Sequence, residues 1–306
     1  MFQREANKPP GSPTGLEGYE ILVSSAATAP GKLSNGVFRF NAGTGRFEGV
    51  LGEGNGIHDP RGIRLAPDES YFVVNNGDDS ILKFETATRR FLGVVARLPG
   101  LNPGGGKFGS DGRYYVGSRS WKSVVVFDVG SGWKHSTFIP GNIVAFPRGL
   151  ACAPNGDFYL ASGADPASGQ GRNTVLRFDG SAQPDPRFAV SDPWLSPLDT
   201  EIGPTGNLLV SSEYPFAHAD ATSTVREYDG RTGRLLRVFD ALESSGGCTP
   251  RNPRGITIGP DGALYSASAD NVIRYDLATG RFDAVVVRSA GIMVQSVIFV
   301  RKPGAN

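Results

Sequence analysis

The 306-residue chain has few of the side chains that usually form redox, metal or covalent sites: two cysteines, two methionines and three histidines. No Cys and His residues have the spacing of a zinc site. A Gly-x-Ser-x-Gly nucleophile motif and a phosphate loop ending in Lys-Ser or Lys-Thr are also missing. We therefore predict no metal and no cofactor. We interpret Cys152 and Cys248 as free thiols of a cytoplasmic protein, with a disulfide between them as the alternative.

Neither charge nor hydropathy favours a nucleic-acid or membrane partner. The 31 basic and 30 acidic residues nearly cancel, so the chain has no overall attraction to polyanions. No apolar run approaches the roughly 18 residues that span a bilayer, and the first residues lack the apolar stretch of a signal peptide. We expect no nucleic-acid partner, no membrane partner, and a flexible leader over residues 1–18.

Glycine and proline are abundant, with 42 and 22 residues, and they recur in register. The repeated phrase is clearest at 252–265, which reads Asn-Pro-Arg-Gly-Ile-Thr-Ile-Gly-Pro-Asp-Gly-Ala-Leu-Tyr. Earlier copies begin at residues 59, 102, 146 and 196, and the prolines of successive copies are 43, 44, 50 and 56 residues apart. A period of roughly 40–50 residues with four short strands is typical of a β-propeller blade.

The two ends of the chain determine the number of blades. Residues 19–25 match a second strand without a first strand before it, whereas residues 295–300 match a first strand without a blade after it. The simplest arrangement is that the C-terminal strand completes the N-terminal blade, which closes the ring without an open edge. We predict an all-β, six-bladed propeller of four antiparallel strands per blade, forming one domain over residues 19–306.

The beginnings of the first strands should surround one mouth of the central channel. The aligned copies place six residues at one level: Arg61, Gly104, Arg148, Leu198, Arg254 and Gln295. Three arginines facing one axis repel each other unless an anion neutralises them, and Arg binds carboxylate or phosphate with paired hydrogen bonds. Arg119 and Trp121, in a loop on the same face, would add a cation and a stacking wall. Alternatively, each arginine pairs with a carboxylate of a nearby loop, and the aromatic residues only pack between blades.

One loop on this face carries several groups suited to proton transfer. Glu213, Tyr214 and His218 follow one another closely, and Tyr214 would also line the binding site. His58 immediately precedes one first strand, and Asp199 occupies a position where other copies have Gly or Ser. We regard Glu213, His218, His58 and Asp199 as candidate catalytic residues. The alternative is that this loop folds over the rim with His218 exposed.

Residues 253–265 and 173–180 resemble NHL-repeat and streptogramin B lyase-like propellers and, more loosely, the gluconolactonase/regucalcin group. The resemblance covers nearly the whole chain but is shared by enzymes and binding modules. Streptogramin lyase-like enzymes have a Glu-x-His in a rim loop; here Glu213 matches the Glu and Pro215 stands in place of the His. Gluconolactonase-like enzymes bind a divalent metal at the first-strand positions where this chain has Arg61, Arg148 and Arg254.

These observations together predict an enzyme that acts on a small anionic molecule at the mouth of the channel. Arginines would hold a carboxylate or phosphate while an acid–base group carries out a metal-independent elimination, cyclisation or hydrolysis. One alternative is a non-catalytic NHL-like propeller that binds a peptide or protein on the same face. Another alternative is a metal-dependent lactonase.

Overall fold

The computed structural model describes residues 15–26, 35–51, 56–165, 167–169, 171–213, 224–239, 253–268, 270–288 and 291–304. These residues form 23 strands and one short 3-10 turn, Asn76–Asp78. Among them there is no helix long and apolar enough to cross a membrane.

In chain order the strands are β1 Tyr19–Ser25, β2 Gly36–Asn41, β3 Phe47–Leu51, β4 Pro60–Leu65, β5 Tyr71–Asn75, β6 Ser80–Phe84, β7 Phe91–Arg97, β8 Pro103–Phe108, β9 Tyr114–Ser118, β10 Ser123–Asp128, β11 Lys134–Ile139, β12 Pro147–Cys152, β13 Phe158–Ser162, β14 Thr174–Phe178, β15 Pro197–Ile202, β16 Leu208–Ser212, β17 Thr224–Tyr228, β18 Leu235–Val238, β19 Pro253–Ile258, β20 Leu264–Ser268, β21 Asn271–Tyr275, β22 Phe282–Arg288 and β23 Val294–Arg301. They form six antiparallel sheets: β23-β1-β2-β3 (blade 1), β4–β7 (blade 2), β8–β11 (blade 3), β12–β14 (blade 4), β15–β18 (blade 5) and β19–β22 (blade 6). The predicted six-bladed propeller is confirmed.

The ring closes as the sequence predicts, because the C-terminal strand belongs to the N-terminal blade. Strand β23 pairs antiparallel with β1 from Tyr19 opposite Arg301 to Ser25 opposite Val294. Strand β23 is thus the innermost strand of blade 1, and the two ends of the chain are held in one sheet. Leu16, which lies within the segment predicted as a leader, is fully buried in the core that β1 shares with blade 6.

Blade 4 departs from the prediction of four strands per blade, because it has only three. The outer position is occupied by an irregular segment that touches β14 at a single bridge, between Phe178 and Pro184. Pro184 and Pro186 both fall where the outer strand would run. Proline has no backbone N–H to donate to a sheet, so this segment cannot continue the ladder.

The turns between first and second strands are stereotyped and lie on the face opposite the predicted site. In blades 3 and 6, Gly112 and Gly262 adopt φ of 76°, which favours glycine. The carboxylate of the blade 3 turn also accepts a hydrogen bond from a core residue, since the Tyr115 hydroxyl donates to Asp111 at 2.7 Å. The apolar core lies between the faces of adjacent blades, so each blade is held mainly by its two neighbours.

Candidate functional site

A narrow cavity lies on the propeller axis at the mouth predicted from the repeats. Its lining includes all six residues of the predicted level: Arg61, Gly104, Arg148, Leu198, Arg254 and Gln295. The cavity volume is about 40 Å³. That is room for about three water molecules, or for one small polar group of a larger ligand. We call this cavity the hub cup.

A β-bulge at the same step of each first strand turns these side chains toward the axis. The pairing register shifts by one residue after Pro60, Pro103, Pro147, Pro197 and Pro253. A bulge leaves one residue unpaired, and it redirects side chains on the bulged strand. In three blades the residue that follows the proline is arginine, so three guanidinium groups converge.

Glycines below this level allow the first strands to approach one another closely. A Cβ on Gly149 would lie 2.6 Å from the Asp199 Cα, and a Cβ on Gly255 would lie 2.7 Å from the Ser296 Cα. Neither distance can be accommodated without moving backbone. The repeated Arg-Gly pair therefore combines a cation at the cup with a narrow ring of backbone beneath it.

The floor of the cup is closed by an ion pair across the axis. The Arg64 guanidinium donates to Asp199 at 2.7 Å and to the Ser296 hydroxyl at 2.8 Å. Blades 2 and 5, which supply Arg64 and Asp199, are opposite each other in the six-membered ring. Lys107 and Glu201 form a second ion pair between blades 3 and 5. The floor of the cup is therefore formed by paired charges.

Two of the predicted arginines have carboxylate partners, which is the alternative that the sequence left open. The Arg61 guanidinium donates to Asp59 at 2.8 Å and to Gln295 at 3.4 Å. Arg148 donates to Glu213 at 2.8 Å and to the backbone carbonyl of Pro197 at 2.9 Å. Both arginines nevertheless line the cup.

Two further guanidinium groups at the cup have no hydrogen-bond or ion-pair partner within the described ranges: Arg254 and Arg119. Arg119 occupies the space that Gly104 leaves, since a Cβ on Gly104 would meet the Arg119 Nε at 3.3 Å. Its guanidinium lies 5.6 Å from the centre of the Phe146 ring, a cation–π contact, and its Nε is buried without a partner. Blade 3 thus supplies its cation from a loop instead of from the first strand.

The electrostatics of the cup are those of an unsatisfied cationic site. Burial, and then repulsion from Arg61, Arg148 and Arg254, lowers the pKa of Arg119 to about 10. Burial, with repulsion from Arg61 and Arg148, also lowers the pKa of Arg254, although the Glu213 carboxylate acts in the opposite direction.

A count of the charged groups gives the same result. Around the cup and its floor there are five guanidinium groups, Arg61, Arg64, Arg119, Arg148 and Arg254, against three carboxylates, Asp59, Asp199 and Glu213. The described residues therefore leave two positive charges without compensation, and an anion in the cup would relieve them.

Of the other residues predicted for the site, Asp199 lines the cup, whereas His58 and Trp121 do not. His58 is exposed on the rim, with its Nδ1 against Gly77, and Trp121 is 41% exposed; neither lines the cup. Asp199 lies in the floor with one oxygen in the Arg64 ion pair. Tyr214, His218 and Cys248 lie outside the described residues.

Sequence reasoning missed Arg64 and the role of Asp59. Arg64 lies near the end of β4, and the equivalent positions of β8 and β15 hold Lys107 and Glu201, so charged residues recurring at this level were the available signal. Its partner is 135 positions away in sequence, and only the ring geometry brings the two together. The position of Asp59 directly before Pro60 and Arg61 was the one available signal for its ion pair.

No group of three or more His, Cys, Asp or Glu side chains is placed to hold a metal ion among the residues described here. At the cup itself, the arginine excess would repel a divalent cation. The chemistry of these side chains favours an anion.

Comparisons with known proteins support the fold. No family model matches the chain, and no curated protein matches it in sequence. Among solved structures, one from a nidogen/laminin complex aligns with a TM-score of 0.69 at 13% identity, covering 92% of this chain and 98% of that chain. A streptogramin B lyase aligns with a TM-score of 0.53 at 14% identity over 81% of this chain and 70% of the other.

A catalytically inactive virginiamycin B lyase from Staphylococcus aureus with quinupristin gives a TM-score of 0.57 at 12% identity, covering 95% of this chain and 86% of that chain. At such identities the likeness shows the propeller fold alone; the six blades are counted from the sheets of this chain. The same fold occurs in a protein–protein complex and in enzymes, so the site has to carry any functional argument.

Proposed function

We propose that this protein binds the anionic group of a small molecule in the hub cup and acts on that molecule by metal-independent proton transfer. The observation that carries the proposal is the excess, counted over the described residues, of two guanidinium charges around an axial cavity. Unpaired cations that repel each other are costly to keep together, so their convergence is most readily explained by an anionic ligand.

The cup has the size of an anchoring pocket. Its volume of about 40 Å³ admits one carboxylate or phosphate group, so the remainder of a ligand would lie across the mouth. Arginine side chains suit this anchoring because the planar guanidinium presents several N–H groups to an oxyanion at once.

Glu213 is the group best placed to move a proton. Its carboxylate accepts a hydrogen bond from Arg148 at 2.8 Å, so a cup residue fixes its position. A carboxylate held beside a bound anion can take a proton from a C–H or O–H of the same molecule. Elimination and cyclisation begin with such a step, whereas in hydrolysis the same carboxylate would take the proton from the attacking water. Two of the enzymatic neighbours in fold are lyases, which agrees with elimination.

Calorimetric titration with inorganic phosphate at low ionic strength tests the binding step. We expect binding by the unsubstituted protein and at least about ten-fold weaker binding by Arg254→Gln, because an unpaired cation of the cup is lost. Arg113→Gln is the matched control, since Arg113 is a half-exposed residue paired with Asp111 on the opposite face. Equal binding by all three proteins, or no binding at all, would reject the proposed site.

A mass-spectrometric screen of small carboxylates and phosphate esters tests the catalytic step. Glu213→Gln is expected to bind any compound that is turned over but to convert it at least about 100 times more slowly, as loss of a general base requires. Undiminished turnover by this variant would remove Glu213 from the mechanism. Activity that is lost on chelation and restored by calcium or zinc would favour the metal-dependent lactonase instead.

A protein-binding function remains the second candidate, because apolar side chains are exposed on the same face. Trp121 is 41% exposed and Ile143 is 37% exposed, each in a connection near the mouth. A propeller of this shape also occurs in a nidogen/laminin complex. A partner whose capture requires Trp121 and is unaffected by Arg254→Gln would support this alternative.

A further inference from the structure

The two guanidinium groups without partners stand on opposite sides of the hub. Arg119 belongs to the β9–β10 loop of blade 3, and Arg254 belongs to β19, the first strand of blade 6. In a ring of six blades, the third and the sixth are diametrically opposed. A ligand group on the axis would therefore meet one unsatisfied cation from each side.

Among the described residues, the other three arginines of the cup each have a carboxylate partner, so two guanidinium charges remain for a ligand to neutralise. Arg61 has Asp59, Arg148 has Glu213 and Arg64 has Asp199. A monoanion such as a carboxylate would leave one positive charge in the cup. A group with two negative charges would bring the described residues of the cup to neutrality.

The small cup also restricts how those two charges can be arranged. The cavity is narrow, about 40 Å³, and Arg119 and Arg254 both line it, so one compact dianionic centre on the axis would contact both guanidinium groups. A phosphate monoester meets this requirement, because its charge at neutral pH is about −1.5 to −2 and its three terminal oxygens all accept hydrogen bonds.

We infer, on the basis of the proposed anion site, that the natural ligand is a phosphate monoester whose dianionic group is bound between Arg119 and Arg254. The lowered pKa of both guanidinium groups is consistent with cations that lack an anion. Phe146, which both Arg119 and Arg148 contact through cation–π interactions, would keep these two side chains at the cup wall.

Two probes of nearly the same shape test the charge requirement. Methyl phosphate is a dianion at pH 8, since the second pKa of a phosphate monoester is about 6, whereas methyl sulfate is a monoanion. Calorimetry at pH 8 and low ionic strength should show at least about ten-fold tighter binding of methyl phosphate, because the extra charge faces two uncompensated cations.

Variants assign the discrimination to the two arginines. Arg119→Gln and Arg254→Gln should each reduce the ratio of the affinity for methyl phosphate to the affinity for methyl sulfate. In the double variant this ratio should fall to a value between about 1 and about 3. Arg113→Gln, which removes one charge from the opposite face, should leave the ratio unchanged. Thermal unfolding of each variant shows whether it is folded.

The outcomes separate this inference from the proposed function. If the unsubstituted protein binds both probes with equal affinity and Arg254→Gln binds both more weakly, the dianion requirement is wrong and the anion site is retained. A preference for methyl phosphate that survives in the double variant would assign the discrimination to other residues and also overturn the inference. Failure of both probes to bind would reject the anion site itself.

Discussion

Replacing a buried cation of the cup should stabilise the ligand-free protein. Arg119 is held next to three other guanidinium groups without a carboxylate partner, and its pKa falls to about 10. Each pKa unit corresponds to about 1.4 kcal/mol, so the charged form is disfavoured by at most about 3 kcal/mol relative to the unfolded chain. Arg119→Gln removes this cost.

The same substitution also loses favourable contacts. The cation–π contact with Phe146 contributes about 0.5–1 kcal/mol, and the packing of the aliphatic stem contributes a similar amount. The free energy of unfolding should therefore rise by about 1–2 kcal/mol in Arg119→Gln. Urea unfolding in dilute buffer without phosphate or sulfate measures this change. Added phosphate should reduce the difference in free energy of unfolding between the two proteins, because it stabilises only the unsubstituted protein.

Arg61→Gln is the matched control, with the same substitution in the same cup. Arg61 is paired with Asp59, whose second oxygen is buried without a partner, so its loss leaves a carboxylate uncompensated. This variant should be destabilised by about 1–3 kcal/mol. The reasoning is refuted if Arg119→Gln is destabilised as much as Arg61→Gln, because the unpaired cation would then carry no cost.

Three other predictions concern the scaffold. Deleting residues 294–306 removes β23 and should abolish cooperative thermal unfolding, because β1 loses its partner at the axis. Gly149→Ala would place a Cβ 2.7 Å from the Leu198 carbonyl oxygen and should cost at least about 2 kcal/mol in urea unfolding. Burial would raise the pKa of Glu20, but Arg39 and Arg89 outweigh it and lower the pKa below 4.5. The free energy of unfolding of the unsubstituted protein should therefore exceed that of Glu20→Gln above about pH 4.5, and the difference should disappear as the pH falls further. A difference that does not depend on pH would contradict the ion pairs.

The architecture was predictable because the signals that specify it are local and repeated. Turns such as Gly259–Gly262 and alternating strands recur once per blade, and each copy needs only its own neighbours to form. The count of six and the closing role of residues 294–306 followed from the incomplete copies at the two ends. The three-stranded blade 4 was missed although Pro184 and Pro186 marked it, since the repeat suggested a fourth strand there.

The site was only partly predictable, because pairing across a ring has no sequence period. Alignment of the repeats identified Arg61, Arg148 and Arg254 at one level, and all three line the cup. It did not show that Arg148 pairs with Glu213, since that contact depends on a loop from another blade.

The sequence by itself determined a closed six-bladed ring with arginines around one mouth, because strand patterns and turn residues act over a few positions. The tertiary structure alone decided that Arg64 reaches Asp199 across the axis and that Arg119 fills the space above Gly104. Those contacts depend on distances between blades that closure sets, and closure is a property of the whole chain.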